Sequence, residues 1–389
     1  MKRRQFLAGS AAVTAGLMAP RLAPAATAHD FAGRVVVLIE LNGGSDSLNA
    51  VVPYSDNTYK KVRRQLAIKR DNVLQLDEST GLNKALEMIM PAWQAGELAV
   101  VRGVGYAQPN RSHFRSIEIV ETAADTNQVL QDGWIARTFA ETGVVSDLAA
   151  DGVVLGGPTG PLAGIGLRTV VMTEASQFVR QAMMTPAPRD APPRTALSHI
   201  MRQRSNILSA AGGISRRLDR APSFGDGMFS GSEIGRQMRV AARLIAARVP
   251  LATIKIRQSG YDTHRNQLND QTRLLGQLTE AMVAFRSAMQ QSGLWDKVLV
   301  MTYAEFGRRV AQNGNGGTDH GKAASHFVMG GRVKGGLYGA QPSLTDLDDG
   351  DLRYNIDYRR LYADAVQWWK LPPAPQTLKS EKPLDLVKA

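Results

Sequence analysis

The chain has 389 residues, a formal net charge of +12 and no cysteine. The missing thiols exclude disulfides, iron–sulfur clusters and thiolate metal ligands, so any ion must be held by carboxylate, imidazole or hydroxyl groups. The basic balance favours anionic partners, and it falls only to about +8 if Lys2, Arg3, Arg4 and Arg21 are removed with a leader.

Residues 1–28 read as such a leader. Arg3 and Arg4 precede Phe6-Leu7, and a mildly apolar run diluted by Gly and Ala ends in small residues at Ala23-Pro24-Ala25 and Ala26-Thr27-Ala28. Paired arginines before a short apolar run fit the twin-arginine export route. The expected location is therefore periplasmic or extracellular, with the twin-arginine machinery as a transient partner. No later run reaches the roughly 20 apolar residues of a membrane span, so no stable membrane anchor is expected. No nucleic-acid recognition motif is visible either, and nucleic acid is not expected as a partner.

Residues 29–389 are expected to form a single domain. Arg34 to Leu41 is a β-branched run of the kind buried on both sheet faces, and it stops at the Asn42–Ser47 loop. Leu82 to Ala95 has helical spacing, Glu97 to Val104 reads as a second buried strand, and Ser112 to Thr122 as a helix. A less regular insertion is expected at about 145–230, with a proline-rich stretch from Met184 to Arg194 and a helix from Ala196 to Leu218. Ser232 caps a further helix through Ala247. Thr253 to Arg257 is a strand, Asn266 to Ser292 a long helix and Lys297 to Tyr303 another strand. His326 to Met329 is one more short strand, and Tyr358 to Trp369 a terminal helix. Strands alternating with helices imply a three-layer α/β sandwich around a mostly parallel sheet.

In such sheets, ligands gather beyond the carboxyl ends of the strands. Four strand ends carry chemistry: Asp46, Ser112 with His113, Asp262 with His264, and Glu305. Asp319, His320 and His326 follow. Of the six histidines in the chain, His113, His264, His320 and His326 fall in this set. Asp262 and His264, two apart in an extended segment, point the same way and could grip one ion. Asp319 and His320 are adjacent and could chelate one ion or bridge two. Such oxygen and nitrogen donors suit Zn²⁺ or Mn²⁺. Ser112 opens a helix, where it is either a simple N-cap or a hydroxyl able to attack an ester bound at the helix start. Asp46 is either a second-metal ligand or a turn residue. Gly43-Gly44 does not complete a dinucleotide fingerprint, and Asp348-Asp349-Gly350-Asp351 lacks calcium-loop spacing and reads as surface.

Leu41 to Asn49, Asn110 to Phe114, Tyr261 to His264, Ala304 to Arg309 and Gly317 to Gly321 together resemble the bacterial exported family called domain of unknown function 1501. That family is itself similar to the alkaline phosphatase and sulfatase superfamily. The resemblance implies an alkaline-phosphatase-like fold with a centre of one or two divalent ions. It places Asp46 as the ligand after the first strand, Ser112 at the nucleophile position, and Asp262, His264, Asp319 and His320 around the metal. The superfamily has Asp-x-x-x-His where this chain has Asp262-Thr263-His264, and an Asp-His pair where this chain has Glu305-Phe306. Either Glu305 replaces the aspartate, with His320 or His326 as the later histidine, or the Asp-His pair has moved to Asp319-His320. The expectation is an exported metal-dependent hydrolase of phosphate or sulfate esters. Its substrate is an anionic small molecule or cell-envelope component, with Arg111, Arg115 or Arg308 holding the ester oxygens. The alternative is a non-catalytic binding or assembly protein on the same fold.

Overall fold

The computed structural model describes residues 31–144, 148–184, 196–218, 221–225 and 227–388. The expected export signal at 1–28 and most of the proline-rich stretch lie outside the described residues.

The centre is a mostly parallel sheet. Its strands are β1 (Val35–Asn42), β2 (Leu98–Gly105), β3 (Ala150–Val154), β4 (Thr169–Val171), β5 (Leu251–Ser259), β6 (Val298–Tyr303), β7 (Ala324–Met329), β8 (Gly336–Tyr338) and the two-residue β9 (Ile356–Asp357). The spatial order is β8-β2-β7-β6-β1-β5-β3-β4, with β9 beside β2. β1 runs parallel to β5 and β6, whereas β7 is antiparallel to both of its neighbours, β2 and β6. β3 and β4 lie within the segment expected to be irregular. They extend the same sheet instead, β3 pairing in parallel with β5 and β4 in parallel with β3.

The longer helices are α1 (His113–Thr122), α2 (Trp134–Glu141), α3 (Ala175–Met183), α4 (Ala196–Leu218), α5 (Glu233–Ala246), α6 (Gln267–Gln291) and α7 (Arg359–Trp368). They cover both faces of the sheet, which is the three-layer α/β architecture expected from the sequence. The period-2 alternation of β1 feeds two cores. Val35, Val37, Ile39 and Leu41 pack with α5 and α6 through residues such as Met238, Leu275 and Phe285. Val36 and Leu38 face the other way, into a core with Ile119, Trp134 and Trp368 from α1, α2 and α7. Each such buried aliphatic side chain contributes about 1.5–3 kcal/mol relative to exposure. The helix expected over Leu82 to Ala95 begins only after a short strand (Gly81–Asn83), as a 3-10 segment (Lys84–Ile89) leading into a short α-helix (Met90–Gln94), with Pro91 at its start. Among the described residues, no helix is long and apolar enough to cross a membrane.

Candidate metal centre

Three loops meet beyond the carboxyl ends of β1, β5 and β6. The Tyr261 N–H donates to the Asn42 carbonyl at 3.1 Å, and the Thr318 N–H to the Thr263 carbonyl at 3.2 Å. The Arg309 N–H donates to the Asp319 carbonyl, the Gly321 N–H to the Gly307 carbonyl, and Arg308 forms an isolated β-bridge with His320. The loop after β6 thus folds back as a hairpin-like strap that returns Asp319 and His320 to the strand end. Two glycines permit the close approach. A Cβ on Gly43, whose φ is +116°, would lie 2.3 Å from the Asp262 nitrogen. A Cβ on Gly317 would lie 2.2 Å from the His264 carbonyl carbon.

Asp262 stands at the middle of the site. Its Oδ1 is 3.1 Å from the Nε2 of both His264 and His320, and its Oδ2 is 3.4 Å from His113 Nε2. His264 Nε2 and His320 Nε2 are 3.0 Å apart. Each imidazole is held from behind through Nδ1. His113 pairs with Glu305 Oε1 at 2.8 Å, His264 with Asp319 Oδ1 at 3.1 Å and His320 with the Arg111 carbonyl at 2.8 Å. If each Nδ1 carries the proton that its acceptor calls for, three Nε2 lone pairs face one carboxylate. Two such lone pairs 3.0 Å apart repel unless a cation or proton lies between them. His113 Nε2 is buried without a hydrogen-bond partner. Donors about 2.0–2.2 Å from a tetrahedral zinc stand about 3.3 Å from one another, close to the spacings here. Histidine ligands whose other nitrogen is fixed by an acceptor oxygen are the usual arrangement around protein-bound metals. The residues therefore fit a divalent ion, and the open side faces solvent, with the Asp262 side chain 47 % exposed.

The electrostatics of the metal-free site favour an ionised Asp262 and a neutral His320, while His113 is pulled the other way. Burial works against ionisation of Asp262, but hydrogen bonds from Arg308 and His320 outweigh it and hold the carboxyl at about 2. The hydrogen bond to Glu305 raises His113 above its ordinary value. Burial lowers His320, keeping it a neutral donor. The hydrogen bond from Asn313 and that with His264 lower Asp319.

The expected site residues separate into three groups. Asp262, His264 and His320 come together as ligand candidates. Glu305 and Asp319 stand behind them, Glu305 fully buried and also accepting the Gly43 N–H at 2.9 Å. His113, which sequence reasoning placed at a strand end but not among the ligands, joins Asp262 and His320, with donor atoms all within 4.8 Å of one another. Its clustering with the other histidines was the available signal.

Four residues lie elsewhere or are committed otherwise. Asp46 is not a ligand. Its two oxygens are gripped by the Arg63 guanidinium, and they also accept from Gln267 Nε2 and the Leu48 N–H. His326 lies inside β7, fully buried among apolar residues that push it down to about 4, so it is a neutral core residue. Arg308 cannot hold ester oxygens. Its fully buried guanidinium donates to the carbonyls of Gly43, Gly44, Tyr261 and Thr318 and to Asp262. Arg111 turns its guanidinium toward Asp349 and Asp351. Asp351, read as surface, is buried. Ser112 is the exposed residue between Arg111 and His113. It occupies the N-cap of α1 without using its side chain to cap.

Phe306 closes one side of the centre. Its ring lies 4.9 Å from that of His113 and 4.6 Å from that of His320. A Cβ on Gly44 would collide with it at 2.5 Å. A larger cavity of about 460 Å³ lies at the opposite end of the sheet, lined by Phe31, Val35, Arg217, Arg248 and Leu251. It has no carboxylate or imidazole in its lining.

No curated protein matches the chain. Similar solved structures include Ps i-CgsB (9 % identity, 90 % of this chain and 75 % of that chain, TM-score 0.43). A second is a His 135 Glu mutant of TAB5 alkaline phosphatase (9 % identity, 87 % and 99 %, TM-score 0.39). A third is the phosphonate monoester hydrolase SpPMH from Silicibacter pomeroyi (9 % identity, 90 % and 76 %, TM-score 0.32). The family model described as "Protein of unknown function (DUF1501)" matches residues 173–364. This stretch carries Asp262, His264, Glu305, Asp319 and His320, while Asp46 and the Arg111–His113 turn precede it. Over residues 173–364 the chain is thus similar to that family of proteins of unknown function.

Proposed function

We propose that the protein is an exported, metal-dependent hydrolase of anionic esters, phosphate or sulfate, with one divalent ion, Zn²⁺ or Mn²⁺, held by Asp262, His264 and His320 and flanked by His113. The observation that carries this reading is the set of three imidazoles, each fixed through Nδ1, whose Nε2 atoms turn toward one carboxylate. Nitrogen and oxygen donors of this kind suit Zn²⁺ and Mn²⁺. The Phe306 ring fills the space beside His113 and His320, which argues for one ion rather than two.

A divalent ion at such a site lowers the pKa of a neighbouring hydroxyl and offsets charge developing on a phosphoryl or sulfuryl group. Ser112, exposed between two residues that touch the centre, supplies the nucleophile. Its hydroxyl gives its proton to solvent, its Oγ bonds to phosphorus or sulfur as the bond to the leaving alcohol breaks, and the alcohol oxygen takes a proton from solvent. Water then displaces Ser112 Oγ and releases the inorganic anion, restoring the hydroxyl. Glu305 positions His113 through Nδ1, and the Arg111 carbonyl positions His320. The substrate is an anionic small molecule or a component of the cell envelope, met after twin-arginine export.

The second reading is a non-catalytic binding protein on the same fold. It is favoured by one observation: among the described residues, no imidazole or carboxylate is hydrogen-bonded to the Ser112 hydroxyl as a base would be. Turnover of an activated aryl phosphate or sulfate separates the two. With wild type active, Ser112→Ala loses turnover at unchanged metal content, and Asp262→Ala loses both. A metal-loaded wild type that turns over neither ester supports the binding reading.

A further inference from the structure

A cleft of about 430 Å³ opens beside the centre, its lining including Glu40, His113, Phe114, Ile117, Arg257 and Asp262. One end is the metal centre, through His113 and Asp262. The other end is Arg257.

Arg257 lies in register with Glu40 on the neighbouring strand, and Glu40 with Tyr303 on the next. The three side chains therefore share one sheet face near its carboxyl edge, with Lys255 one step deeper. Gln237 braces the Arg257 backbone from both sides: its Nε2 donates to the Arg257 carbonyl at 3.0 Å and its Oε1 accepts the Arg257 N–H at 2.9 Å. Glu40 Oε1 lies 3.2 Å from Arg257 Nε, an ion pair in which Nε makes no hydrogen bond. The guanidinium lies over Gly157, where a Cβ would come within 2.6 Å of Arg257 Cδ. Glu40 is itself occupied by buried Lys255, whose Nζ is 2.7 Å from Oε2. Among the described residues, Nη1 and Nη2 of Arg257 have no hydrogen-bond partner, and the side chain is 28 % exposed. A guanidinium ion-paired on its Nε side, with both terminal nitrogens free of hydrogen bonds in a cleft, is a ready fork for a carboxylate or a second phosphate or sulfate. Between the two ends, Phe114, 88 % exposed, and Ile117 present an apolar wall.

We propose that the substrate carries a second anionic group, bound by Arg257, across an apolar or ring-shaped body from the scissile ester at the metal centre. This rests on the hydrolase reading for the identity of the scissile end only. Arg111 and Arg308 are committed elsewhere, and Arg257 is the cation that this cleft offers to a ligand.

Non-hydrolysable probes test this without turnover. Calorimetry on metal-loaded protein compares 4-phosphonobenzoate with phenylphosphonate, which lacks the second anion. The wild type is expected to bind the bifunctional probe at least about tenfold more tightly, the worth of one charge-assisted fork. In Arg257→Gln, and independently in Arg257→Ala, the ratio falls to within about twofold. A ratio near one in wild type overturns the proposal, as does a ratio that survives in both folded variants. So does an equal loss for both probes, which would place Arg257 on the ester itself. If no ester is hydrolysed yet the wild-type ratio and its loss are observed, the hydrolase reading fails and the second-anion site stands.

Discussion

Asp46 and Asp262 both follow strands of the central sheet, yet they do opposite work. Asp46 is 2 % exposed and locked to Arg63, itself fully buried. Asp262 keeps one edge open to solvent and collects three imidazoles. Removing one partner of a buried pair strands the other charge, at a cost of about 3–5 kcal/mol. Asp46→Ala is therefore expected to lower stability in urea unfolding by that order while any folded fraction keeps its metal stoichiometry. His264→Ala and His320→Ala are expected to do the reverse, losing metal with less effect on the stability of the metal-free protein. Protonation gives a second residue-scale test. The Glu305 hydrogen bond raises His113, so in metal-free protein this pair contributes stability below the unfolded imidazole value of about 6.5. That stability is lost as pH rises through the raised folded value. Metal requires the neutral ring, so the two effects oppose. Metal affinity, measured by chelator competition, is expected to weaken as pH falls through the raised His113 value. His113→Gln should flatten that dependence.

At the scale of elements, the sequence makes the strands legible where β-branched residues run unbroken, as in β1 and β6, because burial on both faces leaves no polar period. β3 and β4 escaped notice: they are short, and β3 contains Gly152, whose missing side chain makes room for Leu162. The Asp262/His264 pair was readable from its spacing, and His320 from its place after the last long strand. The Arg63 partner of Asp46 was not readable, since 17 residues and a turn separate them. Nor was the fate of His326, because the register that buries it in β7 depends on pairing with β2 and β6. The strap joining Arg308 to His320 was anticipated only as a longer loop. Its tightness makes a prediction. Gly43→Ala must find room for a Cβ 2.3 Å from the Asp262 nitrogen at a φ of +116°. Strain of about 1–3 kcal/mol is expected there, together with weakened metal binding as the Asp262 loop moves. Gly33→Ala, at a φ of +69° with nothing within 4 Å of the added Cβ, is expected to lose about 1 kcal/mol and leave metal affinity unchanged. Thermal melts with and without Zn²⁺ distinguish the two.

For the whole molecule, the centre is a clasp as well as a site. Its groups come from the loop after β5 and the strap after β6, with His113 at the start of α1 flanking them, so an ion bound there ties together segments spanning His113 to His320. These donors converge only in the folded state, and an ion that binds the folded chain alone stabilises it by about 2.7 kcal/mol at one hundred times its dissociation constant. Chelation of purified protein is expected to lower the melting temperature, and Zn²⁺ or Mn²⁺ to restore it. Asp262→Asn should abolish that response while Asp46→Asn retains it. An unchanged melting temperature on stripping and reloading, with no stoichiometric metal by elemental analysis, would remove the centre. The same linkage bears on export. The twin-arginine route carries folded chains, and a chain clasped in the cytoplasm would leave with its ion already bound. Arg3→Lys with Arg4→Lys is expected to retain the precursor in the cytoplasm. Normal export of that double variant, followed by fractionation and metal analysis, would show that another route is used and that the ion is acquired outside.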